Sequence, residues 1–217
     1  MRYGIGLALL LMACGGEQNR VRISLPLPPK LDLSLYNQIY IAGFIASDKN
    51  QDFDSDAETL NFFRREFIRR NAIDVVEHPP MELSDQDPRS FFDRVQPEFT
   101  KIEDMNKEDT LILTGEVSYE ILDRSGFRQV EGTDISGNRF YQTRFVEATG
   151  YLLKLRIFVY ELKEGNLLYR ESLQDEIDVD GPPGDTKLAF NALLDRMSTS
   201  VLGLFSNTTV RAERNLL

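Results

Sequence analysis

The sequence predicts an α+β fold: a mixed, mainly antiparallel sheet with helices packed on it, an α/β sandwich. Three observations carry that expectation. A short apolar run at Gln38–Phe44 leads into apolar residues at helical spacing and then into a second short run at Ile73–Val76, the pattern of strand, helix, strand. Two later stretches, Leu111–Ile121 and Leu153–Val159, alternate apolar and polar residues as sheet strands do. A last segment, Phe190–Leu204, returns to helical spacing. Strands and helices in that order build a sheet covered by helices rather than a parallel barrel or a bundle.

The first 13 residues are expected to be a signal peptide. Gly4 to Ala13 is an apolar run behind Arg2, too short for the roughly 20 residues a membrane-spanning helix needs. It has the size of a secretory h-region and stops at a small residue. The segment Leu11-Met12-Ala13-Cys14 resembles the lipobox of bacterial lipoproteins, with Met12 in a slot more often held by Ala, Ser, Thr or Val. The resemblance implies cleavage before Cys14, a diacylglycerol on its sulfur and an acyl chain such as palmitate on the new amino group. Two or three chains, at about 0.8 kcal/mol per buried methylene, make a durable anchor. Cys14 is the lone cysteine, so once lipidated it leaves no thiol for a disulfide, a nucleophile or a zinc site. Gly15 is not the aspartate that commonly retains such proteins in the inner membrane. The resemblance therefore implies the periplasmic face of the outer membrane.

Residues 14–35 hold three prolines and little periodicity, which predicts an extended lipidated tether. The alternation of Val21, Ile23, Leu25 and Leu27 makes an edge strand the alternative. A single globular domain is expected over 36–205, with a C-terminal tail over 206–217. Ser55-Asp56-Ala57-Glu58 is a capping-box pattern opening a helix through Leu60, Phe63 and Phe67 to Asn71. Residues 79–109, with four prolines and many charges, read as loop with one helix near Phe91 and Phe92. Leu111, Leu113, Val117, Tyr119 and Ile121 alternate with Thr110, Thr114, Glu116, Ser118 and Glu120, predicting one buried face and one wet face. Leu153, Leu155, Ile157 and Val159 form the next strand. Gly165-Asn166 is a hairpin turn into a strand through Leu167, Tyr169 and Leu173. After Gly181-Pro182-Pro183-Gly184, Phe190, Leu193, Leu194, Met197, Val201 and Leu204 share one helix face.

The segments YIAGF, IDVVE, LILTGEVSYE and YLLKLRIFVYELKEGNLLYRESL together resemble the domain shared by the TolB amino-terminal region, the curli-secretion lipoprotein CsgG and the lipoprotein activators of penicillin-binding proteins. The likeness covers about residues 38 to 204. It implies an envelope protein that works by contact with other envelope proteins.

Chemistry is sparse. The chain carries a net charge of −10, one unit more negative once Arg2 leaves with the signal peptide. That argues against a nucleic-acid partner and against a broad grip on anionic lipid. No phosphate-binding glycine loop and no G-x-S-x-G elbow occurs, and the sole histidine, His78, stands beside Pro79-Pro80 at a strand exit. Asp48 to Asp56 spaces its oxygen ligands like a calcium loop, but Phe53 occupies the slot for a turn glycine and Thr59 the slot for a bidentate glutamate. The expectation is no catalytic set, no metal site and no cofactor.

One segment, Asp123–Gly150, exceeds an ordinary hairpin loop and mixes Arg128, Arg139 and Arg144 with Phe127, Phe140, Tyr141 and Phe145. Arginine and aromatic enrichment is what protein contacts favour, so Arg128, Arg139, Tyr141, Arg144 and Phe145 are the expected partner-binding residues. The alternative is a plain hairpin packing its own aromatics on the domain. A membrane-inserting hairpin is disfavoured, because charges at Arg128, Glu131, Arg139, Arg144 and Glu147 break the lipid-facing pattern. The sequence thus points to a non-enzymatic lipoprotein held by membrane lipid through Cys14, with an envelope protein partner or a further copy of itself. A lipopolysaccharide-assembly type lipoprotein and a periplasmic hydrolase using scattered acids are the alternatives. A deep pocket holding two acids would favour the hydrolase, and an exposed aromatic patch near 127–145 the binder.

Overall fold

The computed structural model describes residues 20–47, 52–70, 73–81, 99, 102 and 105–215. The strands are β1 (Arg20–Leu27), β2 (Gln38–Ala46), β3 (Asp74–Val75), β4 (Thr110–Asp123), β5 (Gly126–Thr133), β6 (Arg139–Val146), β7 (Ala148–Glu161), β8 (Leu167–Asp180) and β9 (Thr208–Asn215). The helices are α1 (Ser55–Arg70) and α2 (Thr186–Leu202). Cys14 and the helix expected near Phe91 and Phe92 lie outside the described residues.

The chain divides into two units. In the first, β1 and β9 form a two-stranded sheet. The alternation at Val21–Leu27 therefore ends as a strand, not as the expected tether, and the expected tail contains its partner. The partner comes from the far end of the chain, so no local window could reveal it.

The second unit spans Pro28–Thr208. It begins with a further correction to the tether: Lys30 N–H donates to Gly203 O and Leu31 N–H to Leu204 O, at 3.2 and 3.1 Å, while Leu31 and Leu33 pack on the core. Its main sheet runs β3-β2-β4-β7-β8. β2 pairs in parallel with β3 and β4, and the β4–β7 and β7–β8 pairs are antiparallel. The fold is the expected α+β class, a mixed sheet with two helices packed on it. α1 starts with Asp56 and Glu58 in its first turn and ends on Arg69 and Arg70, charges that complement the helix dipole at each end. α2 is capped by Asp185, whose carboxylate accepts the Leu188 N–H at 2.9 Å. Between the helices and the sheet lie Leu111, Leu113, Val117, Leu153, Leu155 and Ile157 with Phe63, Phe67, Leu193 and Met197, all buried in one cluster.

The loop before α1 closes one end of this core. Phe53, in the slot where a calcium loop needs glycine, packs its ring 5.0 Å from that of Phe190 and 5.9 Å from that of Tyr119. Asp52 accepts a hydrogen bond from Thr186 Oγ1 at 2.9 Å. Among the described residues no three acids, histidines or cysteines converge as a metal site.

The other face of the sheet is where the strand reading needs correcting. β4 is buried on both faces through its first half, including Thr110, Thr114 and Glu116. Val76, Phe99 and Met105, joined by Met81 and Ile102, pack over Tyr40, Ile112, Phe158 and Tyr160 and form a second apolar cluster. Val76, Met81, Phe99, Ile102 and Met105 thus cover this part of the sheet. Alternation along β4 alone could not anticipate a cover supplied from elsewhere in the chain.

A bulge in β2 sets the register of this centre. The ladder with β4 skips one residue between Ile41 and Gly43, and Gly43 sits at φ 136°, where a side chain would be strained. Thr114 Oγ1 donates to the Gly43 carbonyl at 3.0 Å. His78 lies at the exit of β3 with its ring edge-on to Tyr40, 5.9 Å between centroids, and its Nδ1 2.9 Å from Pro79 O.

A candidate protein-docking hairpin

β4 and β7 pair as far as Asp123↔Thr149, and the chain then breaks register for two residues before pairing resumes as β5–β6. Ser125 stitches the break: its N–H donates to Asp123 Oδ1 at 2.8 Å, and its Oγ accepts the Ala148 N–H at 3.1 Å. Arg124 lies across Gly150 and reaches Glu176 and, at 3.8 Å, Asp178 on β8. The hairpin is therefore fixed at its base to the edge of the main sheet.

Its tip is built by Asp134-Ile135-Ser136-Gly137-Asn138. The Asp134 carboxylate accepts the N–H groups of Ser136 and Asn138, each at 2.8 Å, and the Asn138 side-chain amide at 3.1 Å. Gly137 takes φ 85°, the left-handed position that favours glycine in a three-residue hairpin loop. These bonds, first that from the Asn138 backbone, hold the Asp134 carboxyl below its ordinary range. A lowered folded value stabilises the turn above the unfolded aspartate value of about 3.9 and is lost as pH falls through the folded one. The Ser136 and Asn138 amide resonances are expected to shift together in acid below about pH 4, a shift that Asp134→Ala removes. Amides that titrate unchanged in Asp134→Ala would dismiss the turn as the source.

Register divides the side chains between two faces. Phe127↔Phe145, Gln129↔Thr143, Glu131↔Tyr141 and Thr133↔Arg139 share one face; Arg128↔Arg144, Val130↔Gln142 and Gly132↔Phe140 share the other. On the first, the Phe127 and Phe145 rings meet edge to face with centroids 5.5 Å apart. They remain exposed nonetheless: Phe127 by 77%, Tyr141 by 63%, Phe145 by 61%. Arg139 Nε lies 3.2 Å from Glu131 Oε1 in a solvated pair of little stabilising value. On the second face the Phe140 ring covers Gly132, where an added Cβ would fall 2.6 Å from the ring, the aromatic-over-glycine device of stable hairpins. Arg128 and Arg144 stand directly opposite each other, a like-charge pair that costs stability. Arg128 is 3.9 Å from Asp180, and Arg144 makes no ion pair among the described residues.

The five residues expected from sequence thus belong to one element, but not to one face. Arg139, Tyr141 and Phe145 lie together, with Phe127; Arg128 and Arg144 lie behind them. Sequence reasoning missed Ile135, wholly exposed at the tip. An isoleucine inside an Asp-x-Ser-Gly-Asn turn is the signal that could have found it, since turns are ordinarily polar. None of these side chains is part of the helix-covered core; Phe127 and Phe145 pack on each other instead.

No protein-family model matches the chain, and no curated protein matches it. Among solved structures, the hypothetical protein CT253 from Chlamydia trachomatis overlaps it at 13% identity and TM-score 0.44, over 78% of this chain and 98% of that one. A lipoprotein from Neisseria meningitidis, GNA1162, overlaps at 10% identity and TM-score 0.32, over 76% and 97%. PelC from Paraburkholderia phytofirmans, a dodecamer, overlaps at 10% identity and TM-score 0.37, over 87% and 100%. The structures it is similar to thus include a bacterial lipoprotein and a bacterial oligomer. Among the described residues no helix is long and apolar enough to cross a membrane.

Proposed function

We propose that the chain is a non-enzymatic envelope lipoprotein, held by acylated Cys14 at the periplasmic face of the outer membrane, that docks another envelope protein through hairpin β5–β6. The machinery it serves is that of outer-membrane assembly, secretion or the cell wall. One observation carries the reading: a two-stranded hairpin leaves the sheet with Phe127, Tyr141 and Phe145 exposed on one face. Two strands alone are marginally stable in water, and aromatic groups beside arginine are the anchors that protein interfaces bury. A second copy of the chain is a partner of the same chemistry. The hydrolase alternative calls for two carboxylates converging in a pocket. Among the described residues, a pocket lined by Ser47, Glu116, Arg156 and Ser172 has one acid in its lining, Glu116, which supports binding over hydrolysis there.

Arg139→Ala combined with Tyr141→Ala is the test. Truncating buried anchors of this kind removes about 2 kcal/mol or more of binding, so capture of the partner after crosslinking in cells is expected to fall by an order of magnitude. Both side chains are exposed in the free protein, so the melting temperature is expected to hold. A photocrosslinker at Tyr141 is expected to trap a protein, whereas one at exposed Leu188 on α2 is not. Normal capture by the double variant, or equal trapping from both positions, rejects the hairpin as the docking element.

A further inference from the structure

The two-stranded sheet β1–β9 brings together basic residues from two distant segments of the chain. β1 holds Arg20 and Arg22, and β9 holds Arg211 and Arg214 with Glu213. The ribbon thus carries four arginines and one glutamate, a net charge of +3. Residues 28–207, which lie between its strands in the sequence, hold 20 basic and 33 acidic side chains, a net charge of −13. Pairing has sorted positive charge into one short element of an acidic protein.

The same ribbon presents apolar groups to water. Leu25 is 54% exposed and Leu27 45%. Arginine beside exposed leucine is the chemistry of elements that lie on a membrane surface, where the charge meets headgroup phosphates and the apolar group enters the acyl boundary.

Position along the chain adds a third point. Arg20 is six residues beyond Cys14, and six extended residues reach at most about 20 Å. β1 therefore starts within that distance of the anchor. Attraction between exposed charges fades over about 8 Å at physiological ionic strength, so a basic element acts on a bilayer only when something holds it beside one. The short link to the lipid does so. The negative charge of the whole chain opposes a broad grip on anionic lipid, whereas a local grip needs the ribbon alone.

We propose that the β1–β9 ribbon binds the anionic phospholipid surface beside the anchor through Arg20, Arg22, Arg211 and Arg214. Its position rests on the acylated Cys14 proposed above; its attraction to the surface does not. The acidic body of a neighbouring copy has a matching charge, but the link to Cys14 puts lipid, not a neighbour, within reach of every ribbon.

The test is cosedimentation of the full mature chain carrying Cys14→Ser, which has no acyl chain, with phosphatidylcholine vesicles that contain or lack about 30% phosphatidylglycerol. At about 0.1 M salt the chain is expected to bind the anionic vesicles about 10-fold or more tightly than the neutral ones, and to lose the preference at about 1 M, where screening is nearly complete. Arg20→Gln, Arg22→Gln, Arg211→Gln and Arg214→Gln together are expected to abolish the preference. The same four positions changed to lysine are expected to keep it, because lysine retains the charge. Arg128→Gln with Arg144→Gln, which removes charge from the hairpin instead, is expected to keep it as well. Equal binding to both vesicles, a preference that survives in the glutamine variant, or its loss in the lysine variant overturns the proposal. Self-association that the glutamine variant abolishes, without vesicle binding, overturns it in favour of a second copy. Acylation of Cys14 is read separately from the mass of the native membrane-bound protein, so a failed anchor and a failed ribbon give different results.

Discussion

Gly115→Ala is expected to cost about 3 kcal/mol or more, the upper end of what overpacking a core costs. Gly115 lies in β4 opposite Ile157 of β7 and Phe44 of β2. A Cβ there would fall 2.2 Å from the Arg156 carbonyl oxygen and 2.9 Å from the nearest Phe44 ring carbon. The ring is able to turn, but the carbonyl belongs to the neighbouring strand's backbone and cannot yield without moving the sheet centre. Gly126→Ala is the control, because a Cβ at Gly126 meets nothing within 4 Å. Chemical denaturation of both variants checks this. Equal midpoints for Gly115→Ala and the unsubstituted protein would mean that the Arg156 carbonyl does not lie against Gly115.

Phe63→Ala is expected to cost about 3–5 kcal/mol, the range for removing a buried phenylalanine. Phe63 is fully buried on α1. Its ring stacks on that of Phe44, centroids 5.6 Å apart, and meets Phe62 edge to face at 5.5 Å. Phe44 in turn occupies the space that Gly115 leaves open, so glycine, Phe44 and Phe63 form one column from sheet to helix. Removing its top leaves a cavity that the rigid sheet below cannot close. A drop in the urea midpoint with an unchanged denaturant slope is the expected signature. A loss below about 1 kcal/mol would mean that α1 sits elsewhere on the sheet, since ordinary surface changes stay within that size.

Periodicity made much of this fold legible. Leu111 to Val117, Leu153 to Ile157, Phe63 with Phe67, and Leu193 with Met197 each announce a buried face through spacing in their own segment, because strand and helix geometry is local. The excursion that forms hairpin β5–β6 was legible for a similar reason, as arginine and aromatic residues gathered in one long segment between two strands. Cys14 is marked by its neighbours alone. Tertiary structure decided what depends on distant partners. It turned Val21–Leu27 into a strand by pairing it with β9, and it pinned Leu31 to the turn after α2. It buried Thr110, Thr114 and Glu116 on the predicted wet face of β4, the face on which Ile112 packs with Val76, Phe99 and Met105. It sorted Arg139, Tyr141 and Phe145 from Arg128 and Arg144, because register, not composition, assigns a strand residue to a face. It also left one oxygen of Glu116 buried without a donor, since the surroundings of that carboxylate come from β2, β7 and β8 and not from its own strand.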